Sequence, residues 1–425
     1  MTEHGHDHGH GHDHGHGHDH GHDGDLTPVE AYLDVIAGTV SPLAPSLLAL
    51  TDAEGCVLAE DVTAAVSLPP FDNSAMDGYA VLASDLAGAS SSSPVTLPVA
   101  AEIAAGDIGA YRLAPGTAIR ILTGARLPAD ANAVVPVEWT DGGDARVSVS
   151  RPVAAGNAVR YAGGDAREGE VLLPAGVRMR PMHIAVAASA GRREVLVRPR
   201  PRVVVLSTGD ELTEPGTPLV PGQIWDSNSY MLAALAREAG AVPFRRSMVP
   251  DDVAGVLPAI SEQLSRADLV ITTGGVSMGG SHDVVKAALA ERGTVVFRKV
   301  AMQPGMPQGF GMIGADPVPI FTLPGNPVSA YVSFQLFVRP ALGFLQGLDD
   351  MRLPVAQATL TSSVRSPSGR RSYLRGVLSP GKVEPLSGQG SHQIAALGRA
   401  NALIVVPERE TELPAGDTVD VVVLP

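Results

Sequence analysis

Three short segments of the chain combine glycine turns with polar and acidic side chains. They are Ser207-Thr208-Gly209-Asp210-Glu211, Thr272-Thr273-Gly274-Gly275-Val276-Ser277-Met278-Gly279-Gly280 leading to Asp283, and Leu323-Pro324-Gly325-Asn326-Pro327-Val328-Ser329. Glycines in such turns let backbone N–H groups approach phosphate oxygens, and a following helix N-terminus favours negative charge. Asp210, Glu211 and Asp283 would repel phosphate unless a divalent cation lay between them, and oxygen ligands plus phosphates are a usual Mg²⁺ arrangement. The plainer use of Gly and Asp is to make turns, and a single such loop would say little. Three on one sheet argue for a site. None of the three is a P-loop, and no G-x-G-x-x-G follows a strand, so the kinase and dehydrogenase routes are unsupported.

Such turns need strands before them and helices behind them, and the sequence offers both. Val-rich Arg202–Ser207, Leu269–Thr272 and Pro319–Leu323 each precede one turn, and helices are expected over 228–239, 282–291 and 328–338. Apolar strands alternating with helices argue for a parallel sheet covered on both faces, with ligands outside the carboxyl ends of its strands. Upstream, Thr27-Pro28-Val29-Glu30 opens a helix over 28–38, with a capping Thr, Pro at the first helical position and Glu three residues after the cap. Between about 55 and 200 the chain reads as β-rich, with runs at 95–103, 117–122, 133–139 and 146–150. After about 350 short strands return, ending in Ala402–Val406 and Thr418–Leu424, and a small β-barrel is expected.

The β-rich half holds a second group: Phe71-Asp72-Asn73-Ser74-Ala75-Met76-Asp77-Gly78-Tyr79, Arg120-Ile121-Leu122-Thr123-Gly124-Ala125 and Arg160-Tyr161-Ala162-Gly163-Gly164-Asp165. By residue type alone these are ordinary turn formers. Residues 1–25 form a tail of their own. A His-Gly-His-Asp-His-Gly hexad repeats at 4–9, 10–15 and 16–21, placing ten of the thirteen histidines where no core is available. Its imidazoles and carboxylates suit loose binding of Ni²⁺, Zn²⁺ or Cu²⁺; the equal alternative is a solvated tail that binds metal only incidentally or was added for purification.

The formal charge of −14 argues against a nucleic-acid binder, though a local pocket on an acidic protein can still take an anion. Cys56 is the single cysteine, so no intramolecular disulfide and no cysteine metal cluster can form, which suits a reducing cytoplasm. No apolar run reaches the ~18–20 residues that cross a bilayer, so no membrane partner is expected.

Taken together and in order, several strings resemble one family, molybdopterin molybdenumtransferase, also known as the E domain of gephyrin. They are DNSAMDGYA at 72–80, RILTGA at 120–125, the segment 160–165, STGDEL at 207–212, TTGGVSMG at 272–279, PGNPVS at 324–329 and GSHQIAALGRAN at 390–401. The resemblance spans essentially all of 26–425. It implies a multidomain α/β plus β fold: a tail at 1–25, a linking α/β region at 26–66 and 159–200, and an inserted β-rich domain at 67–158. A parallel-sheet, nucleotide-type α/β domain that binds molybdopterin at 201–348 and a C-terminal small β-barrel at 349–425 complete it.

The implied assembly is a homodimer with an active-site cleft reached by both subunits. The implied reaction takes molybdate and adenylyl-molybdopterin to molybdenum cofactor and AMP with Mg²⁺ or a similar cation. A molybdopterin adenylyltransferase would act upstream and molybdoenzymes downstream. The positions carried over are Asp77, Thr123, Asp165, Glu211, Asp283, Pro324 and Pro327, with Asp210 and Ser277 added on position alone. Expected metal ligands are Asp210, Glu211 and Asp283. Expected substrate contacts are Ser207, Thr208, Gly209, Gly274, Gly275, Ser277, Gln303, Pro324, Gly325, Asn326 and Pro327. Where the family often has Lys-Pro-Gly-Lys-Pro, this chain has Gln303-Pro304-Gly305-Met306-Pro307. Either Arg298, Lys299 or another cation substitutes, or oxyanion affinity is lower. Two other readings are a gephyrin-like scaffold with weak or no activity and a molybdopterin adenylyltransferase.

Overall fold

The computed structural model describes residues 26–249, 253–275, 285, 289 and 295–425. The histidine-rich tail, Ser277 and Asp283, and most of the helix expected over 282–291, lie outside these residues. The chain divides into two compact units, one holding 201–344 and 350–425 together with the N-terminal helix, the other 41–200 with 345–349.

The first unit contains a six-stranded sheet. Val242–Val249, Arg202–Thr208, Leu269–Thr273 and Val318–Leu323 run parallel, and Pro307–Ile313 and Val295–Lys299 extend one edge antiparallel. That antiparallel edge is an addition to the parallel sheet expected from the sequence. The central strands are buried along their length (Val203 to Thr208, and all of Leu269–Thr273), which is why they read as continuous apolar runs rather than alternating ones. One core gathers Val204, Leu206, Val270, Ile320 and Val318 with Val285 and Leu289.

The helix Asn228–Glu238 buries Leu232, Leu235 and Ala236, one stripe at three- and four-residue spacing. It stops at Gly240, whose φ of +89° suits a glycine at a helix end. The helix expected over 328–338 runs further. Pro327–Ser333 passes through a π turn, Phe334–Val338, into Arg339–Leu345. Pro340 has no N–H and would end a regular helix; the π turn before it accommodates the break. These 19 residues are apolar and long enough to cross a bilayer, but 83% of the most apolar stretch is buried in the protein, as in a core helix.

Beyond Asp350 the strands Val355–Leu360, Arg371–Ser379, Lys382–Pro385, Ala402–Val406 and Thr418–Val423 close on themselves, because Arg371–Ser379 pairs with both Lys382–Pro385 and Ala402–Val406. Closure removes the free sheet edges, so the small barrel expected from the sequence is present. Its interior is lined by Leu360, Val383, Ile404 and Val421.

The second unit is built on a five-stranded sheet, ordered Ala133–Pro136, Gly78–Val81, Ala118–Ile121, Val95–Ile103, Arg146–Val149. Tyr79 and Val81 join one core, Ala80 and Ile121 another, so both faces of the sheet are covered. A three-stranded sheet (Ser46–Ala49, Glu194–Arg198, Val57–Leu58) packs with the helix Pro181–Ser189 around a third core that includes Cys56.

Candidate active site

Strand register builds the main cleft. Ser207 lies opposite Thr273, and Thr273 opposite Leu323, so the three glycine turns leave the sheet at one level, side by side. The backbones then pack closely. A Cβ on Gly274, whose φ is +98°, would collide with the Thr208 carbonyl, and one on Gly325 would sit 3.6 Å from the Gly274 Cα. A Cβ on Gly209, at φ +146°, would be 2.5 Å from Glu211 Oε2, so the Glu211 carboxylate folds back over its own turn. At Gly274 only glycine supplies both the conformation and the room.

Asn228 locks this arrangement. Its Nδ2 donates to Thr273 Oγ1 at 3.0 Å and to the Gly325 carbonyl at 2.7 Å, and Thr273 Oγ1 donates to the Pro324 carbonyl at 3.2 Å. A backbone carbonyl can only accept, which fixes the orientation of the Asn228 amide. Among the described residues its Oδ1 has no hydrogen-bond partner, nor has Thr208 Oγ1. Both atoms belong to residues that line the cleft. In the same wall, Asp226 is 2% exposed and accepts from Ser207 Oγ (3.2 Å), Ser229 N–H (3.0 Å) and Ser229 Oγ (2.5 Å). A carboxylate at the start of a helix is well placed for its dipole.

The resulting cleft of ≈740 Å³ is within the range of small-molecule sites. Thr208, Gly209, Glu211, Gly274, Gly275, Gly325, Asn326 and Pro327 line it. So do residues not singled out from the sequence: Trp225, Asp226, Asn228, His392 and Ile394. The last two come from the barrel, whose segment is tied to the start of the long helix by Val328 N–H donating to the Ser391 carbonyl at 3.0 Å.

Other expected contacts stand back from the lining. Ser207 is fully buried and supports Asp226, Pro324 is buried behind Thr273, and Asp210 is exposed beside the turn. Gln303 pairs with the barrel strand at Ser372 and does not line the cleft. Arg298 lines a separate hollow with Tyr32 and Phe310. No lysine or arginine lines the cleft among the described residues.

In the second unit the antiparallel pairing of Gly78 with Ile121 brings the residues just beyond them, Asp77 and Thr123, together. Asp77 Oδ1 accepts from Thr123 N–H at 2.7 Å and from Thr123 Oγ1 at 2.8 Å. These two bonds, the backbone one first, hold the exposed Asp77 carboxyl below the usual carboxylate range. A Cβ on Gly78 would collide with the Val135 carbonyl, so glycine is required beside Asp77. Asn73 and Ser74 pair with Arg160 and Val159, and the Ser74 carbonyl accepts from Gly124 N–H at 2.8 Å. Asp72 Oδ1 accepts from Ala162 N–H at 2.8 Å, and the Asp165 N–H donates to the Leu68 carbonyl at 2.9 Å. The three motifs of this half therefore interlock, with Asp77 touching Thr123 and Asp165 exposed on the third segment.

Comparison with known proteins assigns the chain. Residues 27–191 match the MoeA N-terminal region (domain I and II), 204–343 the "probable molybdopterin binding domain" and 357–424 the MoeA C-terminal region (domain IV). Molybdopterin molybdenumtransferase 2 of Mycobacterium tuberculosis is 46% identical over 401 residues, covering 92% of this chain and 98% of the relative. Its molybdopterin molybdenumtransferase 1 is 39% identical over 419 residues, covering 93% and 98%. The structure of a molybdopterin biosynthesis MoeA protein from Pyrococcus horikoshii superposes with a TM-score of 0.79 at 31% identity, covering 94% of this chain and 99% of that one. The chain belongs to the molybdopterin molybdenumtransferase family, enzymes of molybdenum cofactor biosynthesis.

Proposed function

We propose that this protein inserts molybdenum from molybdate into adenylyl-molybdopterin, releasing AMP, in a reaction that depends on a divalent cation. The observation that carries the reading is the convergence of three glycine turns and the Glu211 carboxylate in a cleft lined by no described lysine or arginine. An anionic phosphate substrate meeting Glu211 there needs a compensating positive charge.

The donor set fits a hard cation. The Glu211 carboxylate lines the cleft, and Mg²⁺ takes one or two carboxylates plus phosphate oxygens and water. Glu211 would hold the ion, with Asp210 and Asp283 as the further ligands we assign from the sequence. Bound there, it would supply charge neutralisation for breaking the phosphate anhydride.

The chain's own groups do the rest. The glycine turns allow phosphate to approach the backbone. Asn228 keeps the second and third turns at fixed separation while its Oδ1 accepts a hydrogen bond from the substrate. Thr208 Oγ1 donates to a phosphate oxygen. The dithiolene sulfurs that receive molybdenum belong to the substrate, so the single buried Cys56 has no part to play. Asp77 with Thr123, and Asp165, complete the catalytic set that we propose. We place the reaction in the cytoplasm and in a homodimer, after an adenylyltransferase and before the molybdoenzymes that take up the cofactor.

The test is incubation with adenylyl-molybdopterin, molybdate and Mg²⁺. AMP release with formation of active cofactor is expected. A gephyrin-like scaffold would give neither, and an adenylyltransferase would consume ATP and leave molybdate untouched. Glu211→Ala should lower turnover at least about hundredfold, as loss of a charge-stabilising group does, with a melting temperature near wild type. A Glu211→Ala protein that turns over normally would remove Glu211 from the mechanism. Sedimentation of the full chain at the mass of one subunit would overturn the dimer.

A further inference from the structure

The wall of the cleft beside the glycine turns is apolar and aromatic. Ile224 is 54% exposed, Trp225 50% and Ile394 40%, all three lining the same cleft. Leaving a large indole half in water forgoes much of the stabilisation its burial would bring. The Trp225 ring is also held in place: its Nε1 donates to the Thr217 carbonyl at 2.9 Å. That bond uses the only polar atom of the indole, so the surface turned to the cleft is carbon. The backbone is fixed as well. Ile224 N–H donates to the Glu211 carbonyl at 2.8 Å and Asp226 N–H to the Thr213 carbonyl at 2.9 Å, which ties this short strand to the carboxylate turn.

A pre-oriented aromatic face beside a phosphate-sized cradle suits a ligand with a flat heteroaromatic ring at one end and phosphate at the other. We propose that Trp225, with Ile394, is the stacking platform for a heterocycle of the substrate, and so a specificity-determining residue. This rests on the reaction proposed above, whose substrate offers two such rings, adenine and pterin.

The experiment uses the full chain carrying Trp139→Phe, which leaves Trp225 as its only indole. It is titrated with 5′-AMP, 6-hydroxymethylpterin and ribose 5-phosphate while Trp225 emission is followed. Saturable quenching by a ring ligand is expected, and none by ribose 5-phosphate, which has the sugar and phosphate but no base. Quenching by AMP alone assigns adenine to the platform, and quenching by the pterin alone assigns the pterin ring. Calorimetry on Trp225→Ala in the otherwise native chain should show that ring ligand bound about tenfold or more weakly, the usual worth of one base–aromatic stack, and ribose 5-phosphate unchanged. Trp225→Phe should restore most of the loss.

Unquenched emission with both rings, together with native affinities in Trp225→Ala, overturns the proposal. Turnover separates it from the reaction on which it rests. If wild type releases AMP and Trp225→Ala has an unchanged KM, the stacking role fails and the reaction stands. If the rings bind through Trp225 but wild type neither releases AMP nor forms active cofactor, the reaction fails and the platform stands.

Discussion

The cleft of the α/β unit and the Asp77–Thr123 pair of the β-rich unit treat their polar groups in opposite ways. In the cleft, Asn228 Oδ1 and Thr208 Oγ1 are buried with no partner among the described residues. In the β-rich unit, Asp77 is exposed, yet one of its oxygens already accepts two hydrogen bonds from a single residue. The first leaves hydrogen-bonding capacity unused among the described residues. The second is finished before anything arrives. Substitutions in the cleft should therefore appear first in ligand affinity, and substitutions at the pair in local geometry and titration. The backbone that holds the cleft is the exception, because there the close approach of the turns is itself structural.

That exception gives the largest expected effect. Gly274→Ala places a methyl group against the Thr208 carbonyl at a φ of +98°. The backbone conformation alone costs about 1–3 kcal/mol for a non-glycine residue, and the collision adds to it. The melting temperature should fall by roughly 5 °C or more. Turnover should fall at least about hundredfold, since displacements of about 1 Å near a reacting group have that effect. Native melting and native turnover would show that the turns are not packed as tightly as described, and the contrast between the two regions would lose its basis.

Asn228 tests the incomplete side more finely. Asn228→Ala removes the donations to Thr273 and Gly325 and should cost about 1–2 kcal/mol, with the affinity for 5′-AMP falling about tenfold. Asn228→Asp keeps the shape but turns an acceptor toward the Gly325 carbonyl and adds negative charge beside the phosphate cradle. It should bind AMP more weakly than the alanine variant. Calorimetry on both variants decides the matter: tighter binding by Asn228→Asp would mean that the amide is not the donor that holds the turns.

How much of this could be read in advance depended on how local each feature was. Arg202–Thr208, Leu269–Thr273 and Val318–Leu323 were legible because a strand buried on both faces must be apolar throughout, and a glycine turn ends each one. The antiparallel edge was not. In Pro307–Ile313 the apolar run is broken by Gly309, Gly311 and the buried Gln308, whose partners are the Gly305 carbonyl and Ser333 Oγ. Nothing in the local pattern announces such partners.

Individual residues at the site divided in the same way. The glycines of all three turns identified themselves by type and spacing. Asn228 matters because it reaches Thr273 and Gly325, which are 45 and 97 residues away, a relation that exists only once the sheet has formed. The Asp-Ser-Asn-Ser run at 226–229 after a strand was the available signal. Ser207 and Thr208 are adjacent in sequence, yet alternation along the strand sends one side chain back to Asp226 and leaves the other on the cleft wall. His392 and Ile394 belong to a string already noted at 390–401, but only the bond from Val328 to Ser391 shows how it reaches the cleft.

The smallest expected effect concerns the finished side. Both hydrogen bonds to Asp77 favour the charged form, so its folded-state pKa lies below the unfolded value. The sign follows from linkage. A depressed carboxylate contributes stability that is fully present above its unfolded pKa and is lost as pH falls through the folded pKa. The pair should therefore be unaffected at neutral pH and should open only at acidities below the ordinary aspartate range, near 3.9. Carboxyl NMR of the full chain should place the Asp77 midpoint under that range. Thr123→Val removes the hydroxyl donor but keeps the backbone N–H, which is the stronger of the two influences, so the midpoint should move only part of the way back. Because Asp77 is exposed, the melting temperature at neutral pH should barely change. A midpoint at the ordinary aspartate value in the native chain would show that Thr123 does not hold the carboxylate. Asp77 would then be as unfinished as the cleft, waiting on substrate for its partners.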